Sequence, residues 1–168
     1  MRVVSIPLND DNYGYLLIDE STNEAAIVDV SGQPEEVMKC IQKEGVRVTK
    51  ILTTHKHWDH AGGNLKMQAL IPGVEIIGSN VDNVEGCTTF IQDGSNISVS
   101  NISIRCILTS GHTMGHISYY AEHNDQKVVF TGSFPSFSYN ETCISAAVPS
   151  KNFPTPPTKR QSPVKTTF

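Results

Sequence analysis

Apolar and polar positions alternate along residues 2 to 8, 13 to 18 and 25 to 30, and turn residues separate the three runs. Asn9, Asp10, Asp11 and Asn12 make the first turn, Asn23 and Glu24 the second. The pattern predicts an antiparallel meander of three strands. At residue 34 the period changes: Val37, Met38 and Ile41 fall on one face of a helix over 34 to 44. Pro34 suits its first position, Glu35 and Glu36 its positive end, and Gly45 its stop. A strand over 48 to 54 follows. That strand, helix, strand order implies a parallel pair with a right-handed crossover.

Residues 60 to 70 read as a second helix, with Leu65, Met67, Ala69 and Leu70 apolar. Gly62 and Gly63 near its start would let the backbone pass close to a bound ion. Pro72 and Gly73 end the helix, and 74 to 77 is a short buried strand. Residues 79 to 96 are polar and read as loop with one helical turn. Two hairpins come next. One runs over 97 to 99 and 102 to 108 around Ser100 and Asn101; the other runs over 116 to 122 and 126 to 131, turning at 123 to 125. From residue 135 no hydrophobic period survives. The last 34 residues hold six of the nine prolines and ten Ser or Thr, too much turn chemistry for a packed core. The chain therefore divides into a domain over 1 to 133 and a Pro/Ser/Thr-rich tail over 134 to 168 that reads as disordered.

A length of 168 residues suffices for one domain with a real core. The net charge of −4 argues against a nucleic-acid or membrane surface as partner. No apolar run approaches a membrane span. The first eight residues read as a strand, not a signal peptide. Four cysteines (Cys40, Cys87, Cys106, Cys143) show no C-x-x-C spacing. Cys40 and Cys106 lie in apolar patterns, which predicts buried, reduced thiols and a cytoplasmic protein, with the mitochondrion as the alternative.

Chemistry concentrates in Thr53-Thr54-His55-Lys56-His57-Trp58-Asp59-His60, directly after the strand-like Lys50-Ile51-Leu52. Residues two apart in an extended segment point the same way, so His55 and His57 can face one point. Asp59 and His60 lie just past them and can face a second, neighbouring point. Imidazole nitrogen and carboxylate oxygen are the ligand set of zinc and similar divalent ions. His112, in Ser110-Gly111-His112-Thr113-Met114-Gly115-His116, supplies a further ligand after the strand over 102 to 108. His116 reads as a hydrogen-bonding partner, Asp29 as a carboxylate that orients neighbouring groups, and His123 as a turn residue without function.

Together these two segments resemble the metallo-β-lactamase superfamily. Within it they are most similar to glyoxalase II, the hydroxyacylglutathione hydrolases. Asp11-Asn12-Tyr13-x-Tyr15-Leu16 and Trp58 also match that family better than the lactamases. The resemblance covers roughly residues 1 to 132. It implies an α/β fold (α+β by some schemes), a metallo-β-lactamase-like αβ/βα sandwich with its first half mostly present and its second half incomplete. It implies a zinc centre, with iron or manganese as alternatives, that holds two ions in the family. His55, His57 and His112 match the ligands of the first ion. Asp59 and His60 match the second, and Asp59 also carries the catalytic role. The implied reaction is hydrolysis of S-(2-hydroxyacyl)glutathione thioesters, S-lactoylglutathione to lactate and glutathione, in methylglyoxal detoxification. The implied partner is that small thioester, with no nucleic acid or membrane, and the implied state is a monomer. A persulfide dioxygenase and a β-lactamase are the other superfamily readings, and Trp58, His116 and the Asn-Tyr segment lean away from them.

The sequence departs from the family after Val128-Val129-Phe130-Thr131-Gly132. The family has a bridging aspartate at the next position, and Ser133 stands there. No histidine follows His123 to match the family's last ligand, and the C-terminal helical domain that holds glutathione has no counterpart. The expectation is one ion or fewer, and an apolar face of the first sheet left without its partner. The alternative function is a catalytically impaired metal-binding fragment.

Overall fold

Three strands open the chain as an antiparallel meander: β1 (Arg2–Leu8), β2 (Asn12–Asp19) and β3 (Glu24–Val28). The computed structural model describes residues 1–9 and 12–133. Asp10, Asp11, Cys143 and the tail over 134–168, expected to be disordered, lie outside the described residues. Helix α1 (Pro34–Glu44) follows β3, and β4 (Arg47–Leu52) then lies parallel to β3. Pro34 sits in the first turn of α1. Gly45 ends the helix at φ 64°, its amide donating to the Ile41 carbonyl at 3.0 Å.

The single helix predicted over 60 to 70 is two: α2 (Trp58–Ala61) and α3 (Asn64–Leu70). Gly62 and Gly63 form the break. The Gly63 amide donates to the Val30 carbonyl at 2.9 Å. A side chain at Gly63 would run into the Ser31 carbonyl. The close approach is therefore to the loop after β3, not to an ion. Of the four apolar positions predicted for this helix, Met67 alone is buried.

Strand β5 (Glu75–Ser79) pairs parallel with β4, and β6 (Thr89–Ile91) parallel with β5. The stretch predicted as loop over 79 to 96 thus contains a strand. It is three residues long with Phe90 exposed, too short to show a period. Strands β7 (Asn96–Val99), β8 (Ile102–Leu108), β9 (Ile117–His123) and β10 (Gln126–Phe130) complete the described chain. The first sheet has six strands in the order β1-β2-β3-β4-β5-β6, the second four in the order β10-β9-β8-β7.

The period-two pattern sends side chains both ways from the first sheet. Leu16, Ile18, Ile27, Ile51 and Ile76 pack with Val37 and Ile41 of α1 and Met67 of α3. Tyr15, Leu17, Val28, Leu52 and Ile77 pack with Ile104, Cys106, Ile117, Tyr119, Val128 and Phe130 of the second sheet. Each fully buried Leu or Ile contributes about 1.5–3 kcal/mol. The expectation of a bare apolar face on the first sheet is overturned: β7–β10 cover it. Cys106 is buried, whereas Cys40, expected to be buried, is half-buried; Cys40, Cys87 and Cys106 are free thiols. A polar clasp also joins the layers. Asp19 accepts from Ser21 Oγ at 2.6 Å, from the Asn101 amide at 3.0 Å and from Asn101 Nδ2 at 2.9 Å. The Ser21 hydroxyl bond, against the opposing effect of burial and with help from Asn101, holds the Asp19 carboxyl well below its ordinary value.

Because β3, β4 and β5 are parallel, their carboxyl ends share one edge of the sandwich. The loops leaving that edge carry Asp29, residues 53–60 and Asp82. The β8–β9 loop of the second sheet brings His112 to the same edge.

Candidate metal centre

The segment after β4 stays extended because both sheets hold it. The Thr53 amide donates to the Ile77 carbonyl at 2.9 Å, and the Ile117 amide donates to the Thr54 carbonyl at 2.8 Å. From beneath, Tyr119 Oη donates to the Thr53 carbonyl at 2.8 Å. Thr53, Thr54 and His55 are completely buried. His55 is thus fixed at the sheet edge before the chain turns into α2.

One nitrogen each from His55, His57 and His112 lies within 4.8 Å of the others. His57 Nδ1 and His112 Nε2 are 2.9 Å apart. The His55 ring lies edge-on to both, with centroids 4.8 Å away in each case. His55 Nδ1 is 3.0 Å from Thr54 Oγ1, while Nε2 is buried without a hydrogen-bond partner among the described residues. Burial first, then neighbouring His60, pushes the His55 ring down to about 3. Burial and His57 push His112 down as well. Neutral imidazoles present lone pairs, and an unsatisfied buried nitrogen is costly unless something fills the place before it. The donor set fits one divalent ion.

Asp59 and His60 stand beside this triad rather than within it. His60 Nδ1 donates to Asp29 Oδ2 at 2.8 Å. Asp29 accepts in addition from the Thr54 amide and from Thr54 Oγ1, each at 2.8 Å. Asp29 is itself bent into the left-handed region, φ 58°. Burial alone would raise its carboxyl, but the His60 charge and these bonds hold it below its ordinary value. Burial alone would lower His60, but Asp29 raises it above its ordinary value. His60 Nε2 lies 3.0 Å from Ser133 Oγ and 3.4 Å from Asp59 Oδ2. Both ring nitrogens of His60 are engaged, and the further group beside it is the Ser133 hydroxyl, which stays protonated and is a poor ligand, so these residues as arranged do not fit a second ion.

Three contacts were not legible in the sequence, although Asn12 and Ser133 stood out there for their positions. Asn12 Nδ2 donates to the Asp59 carbonyl at 2.6 Å and so anchors α2. Ser133 closes on His60. Asp82 accepts hydrogen bonds from both ligand loops. His116, 1% exposed, meets Thr109 Oγ1 at 2.8 Å through Nδ1 and is not in the three-histidine group. His123 Nδ1 meets the Asn101 carbonyl at 3.0 Å, far from the centre in the β9–β10 turn region.

The family model described as "Metallo-beta-lactamase superfamily" matches residues 12–85. A protein named hydroxyacylglutathione hydrolase cytoplasmic from Arabidopsis thaliana is 42% identical, over 79% of this chain and 52% of its own. A hydroxyacylglutathione hydrolase-like protein from Bos taurus is 40% identical, over 79% of this chain and 69% of its own. The chain spans 52% of the Arabidopsis relative's length, 69% of the bovine one's and 51% of that of a human hydroxyacylglutathione hydrolase-like protein. Among solved structures, ETHE1 from Myxococcus xanthus superposes with a TM-score of 0.67 at 25% identity, covering 78% of this chain and 56% of its own. A metallo-β-lactamase of Cronobacter sakazakii reaches a TM-score of 0.70 at 18% identity, over 82% and 62%, a likeness of fold alone.

Proposed function

The chain belongs to the metallo-beta-lactamase superfamily, and from that premise we propose that it is a metal-dependent hydrolase of glyoxalase II type. The proposed substrates are S-(2-hydroxyacyl)glutathione thioesters, with S-lactoylglutathione giving lactate and glutathione in methylglyoxal detoxification. The observation that carries the reading is the trio of imidazoles with one nitrogen each within 4.8 Å of the others, among them buried His55, whose Nε2 has no hydrogen-bond partner among the described residues. The names of relatives near 40% identity support the substrate class.

His55, His57 and His112 would hold one ion, zinc in this reading, with iron or manganese as alternatives. When bound, such an ion supplies Lewis-acid chemistry, polarising a carbonyl and acidifying water. The protein's own groups do the rest. Asp59, with its side chain 42% exposed, offers a carboxylate that can orient an attacking water and take its proton. His60, held by Asp29, presents Nε2 beside it. Trp58, the first residue of α2, and Met114, on the β8–β9 loop, are both exposed and would give the mouth of the site an apolar rim. We assign the protein to the cytoplasm, with the mitochondrion as the alternative, and to a monomer without nucleic-acid or membrane partners; no helix among the described residues is long and apolar enough to cross a membrane.

The test is S-lactoylglutathione hydrolysis by the full chain, stripped of metal and titrated with zinc. Turnover should appear on addition of zinc and vanish on chelation. A second reading, a metal-binding chain without turnover, is favoured by one contact: Ser133 Oγ on His60 Nε2. Zinc binding without hydrolysis at saturating substrate would select it.

A further inference from the structure

One carboxylate outside the ligand set touches both loops that carry the ligands. Asp82, 3% exposed, lies in the turn after β5, three residues beyond the end of the strand. Its Oδ2 accepts from the Lys56 amide at 3.2 Å, and Lys56 stands between His55 and His57. The same oxygen accepts from Thr113 Oγ1 at 2.6 Å, next in sequence to His112. Its Oδ1 accepts from the Gly115 amide at 2.8 Å. The β8–β9 loop presses close here. A Cβ at Gly115 would come within 2.6 Å of the Asp82 amide and of Ser79 Oγ, and 2.7 Å of Asp82 Oδ1, so only glycine fits. Ser79 Oγ accepts from the Val81 amide at 3.1 Å and shapes the turn that presents Asp82.

The two ligand loops come from different sheets. His57 Nδ1 and His112 Nε2 meet across the gap between them. Asp29 holds the His55–His60 segment on the β3 side, but none of its hydrogen bonds reaches the His112 loop. Of the two carboxylates, Asp82 is the one that bonds to both.

We propose that Asp82 is a positioning residue: it sets the spacing between the His55/His57 loop and the His112 loop, and with it the metal affinity of the three-histidine site. This rests on the reading of that site as a metal centre. Asp82→Asn keeps shape but turns an amide donor towards either the Gly115 amide or the Thr113 and Lys56 donors, setting donor against donor. Thr113→Val removes one bond and leaves Asp82 in place.

Cobalt(II) is the probe, because its visible absorption reports coordination number and geometry as well as occupancy. Asp82→Asn should weaken cobalt binding about 10–100-fold and alter the absorption envelope, and Thr113→Val should weaken it less. Thermal unfolding of the metal-free proteins, run in parallel, shows whether each variant folds. Equal cobalt affinity and an unchanged spectrum in both variants, against a protein that binds cobalt through His112, would overturn the role of Asp82 alone. No cobalt binding by the unsubstituted protein would overturn the metal centre and the inference together.

Discussion

Asp29→Asn should destabilise the metal-free protein by about 3 kcal/mol. The carboxylate is 4% exposed and accepts from the Thr54 amide, Thr54 Oγ1 and His60 Nδ1, each at 2.8 Å. An asparagine can still accept from the Thr54 amide through its oxygen. Its amide group then faces Thr54 Oγ1 and His60 Nδ1, and two bonds to a charged acceptor are lost. Each is worth about 1.5–3 kcal/mol. Part of the loss is recovered because His60 can give up its proton and Thr54 can turn its hydroxyl. The remainder, about 3 kcal/mol, agrees with the about 3–5 kcal/mol found on breaking buried ion pairs. With a urea slope near 1.5 kcal/mol per molar, the midpoint should fall by about 2 M. Metal must be removed, since an ion bound to the native state would add its own stabilisation. A midpoint shift under about 0.5 M would refute the claim that Asp29 holds the edge of the sandwich. In a cycle with His60→Gln, the two losses should be far from additive, because both substitutions break the same pair.

Further outcomes follow from the same geometry. His55→Ala and His112→Ala should each abolish metal binding, and unchanged metal content in both by mass spectrometry would sink the ligand assignment. Ser133→Asp places a carboxylate within reach of His60 Nε2 and should raise the metal content towards two ions per chain; a value fixed at one would show that another ligand is also missing. Asp19→Asn should cost about 1–2 kcal/mol at neutral pH through the lost bonds to Ser21 and Asn101. The folded-state carboxyl of Asp19 is depressed, so its contribution is present in full above the unfolded value of about 3.9 and is lost progressively as pH falls from there through the lower folded value. The gap between the two proteins in urea should therefore narrow in acid, and a gap unchanged at about pH 2.5 would be the opposite result.

How much was legible depended on whether a residue's role showed as spacing. His55 and His57, two apart in an extended run, and His112, after the next long strand, form a pattern of chemistry, and the structure brings one nitrogen of each into one group. The β1–β3 meander, α1 and the last two hairpins were legible because each shows a clear period and clear stops. β6 was hidden because three residues with Phe90 outward carry no period. The break between α2 and α3 was visible as Gly62–Gly63 but read as a place for an ion, since the loop it packs on, at Val30, lies 33 residues before Gly63. Asp82 sits in a polar stretch where one aspartate looks like any other, and its partners at Lys56, Thr113 and Gly115 are supplied by tertiary structure. The covering of the first sheet by four further strands likewise depended on long-range packing. Local alternation gave those strands but not the completeness of their contact.

The most direct test of the central claim is metal stoichiometry on the monodisperse full chain, with S-lactoylglutathione hydrolysis followed on the same sample. A metal-dependent hydrolase should hold one zinc ion per chain, show turnover that rises with occupancy, and lose both in His112→Ala. A chain that holds no ion, or that hydrolyses the thioester equally well without one, would contradict it.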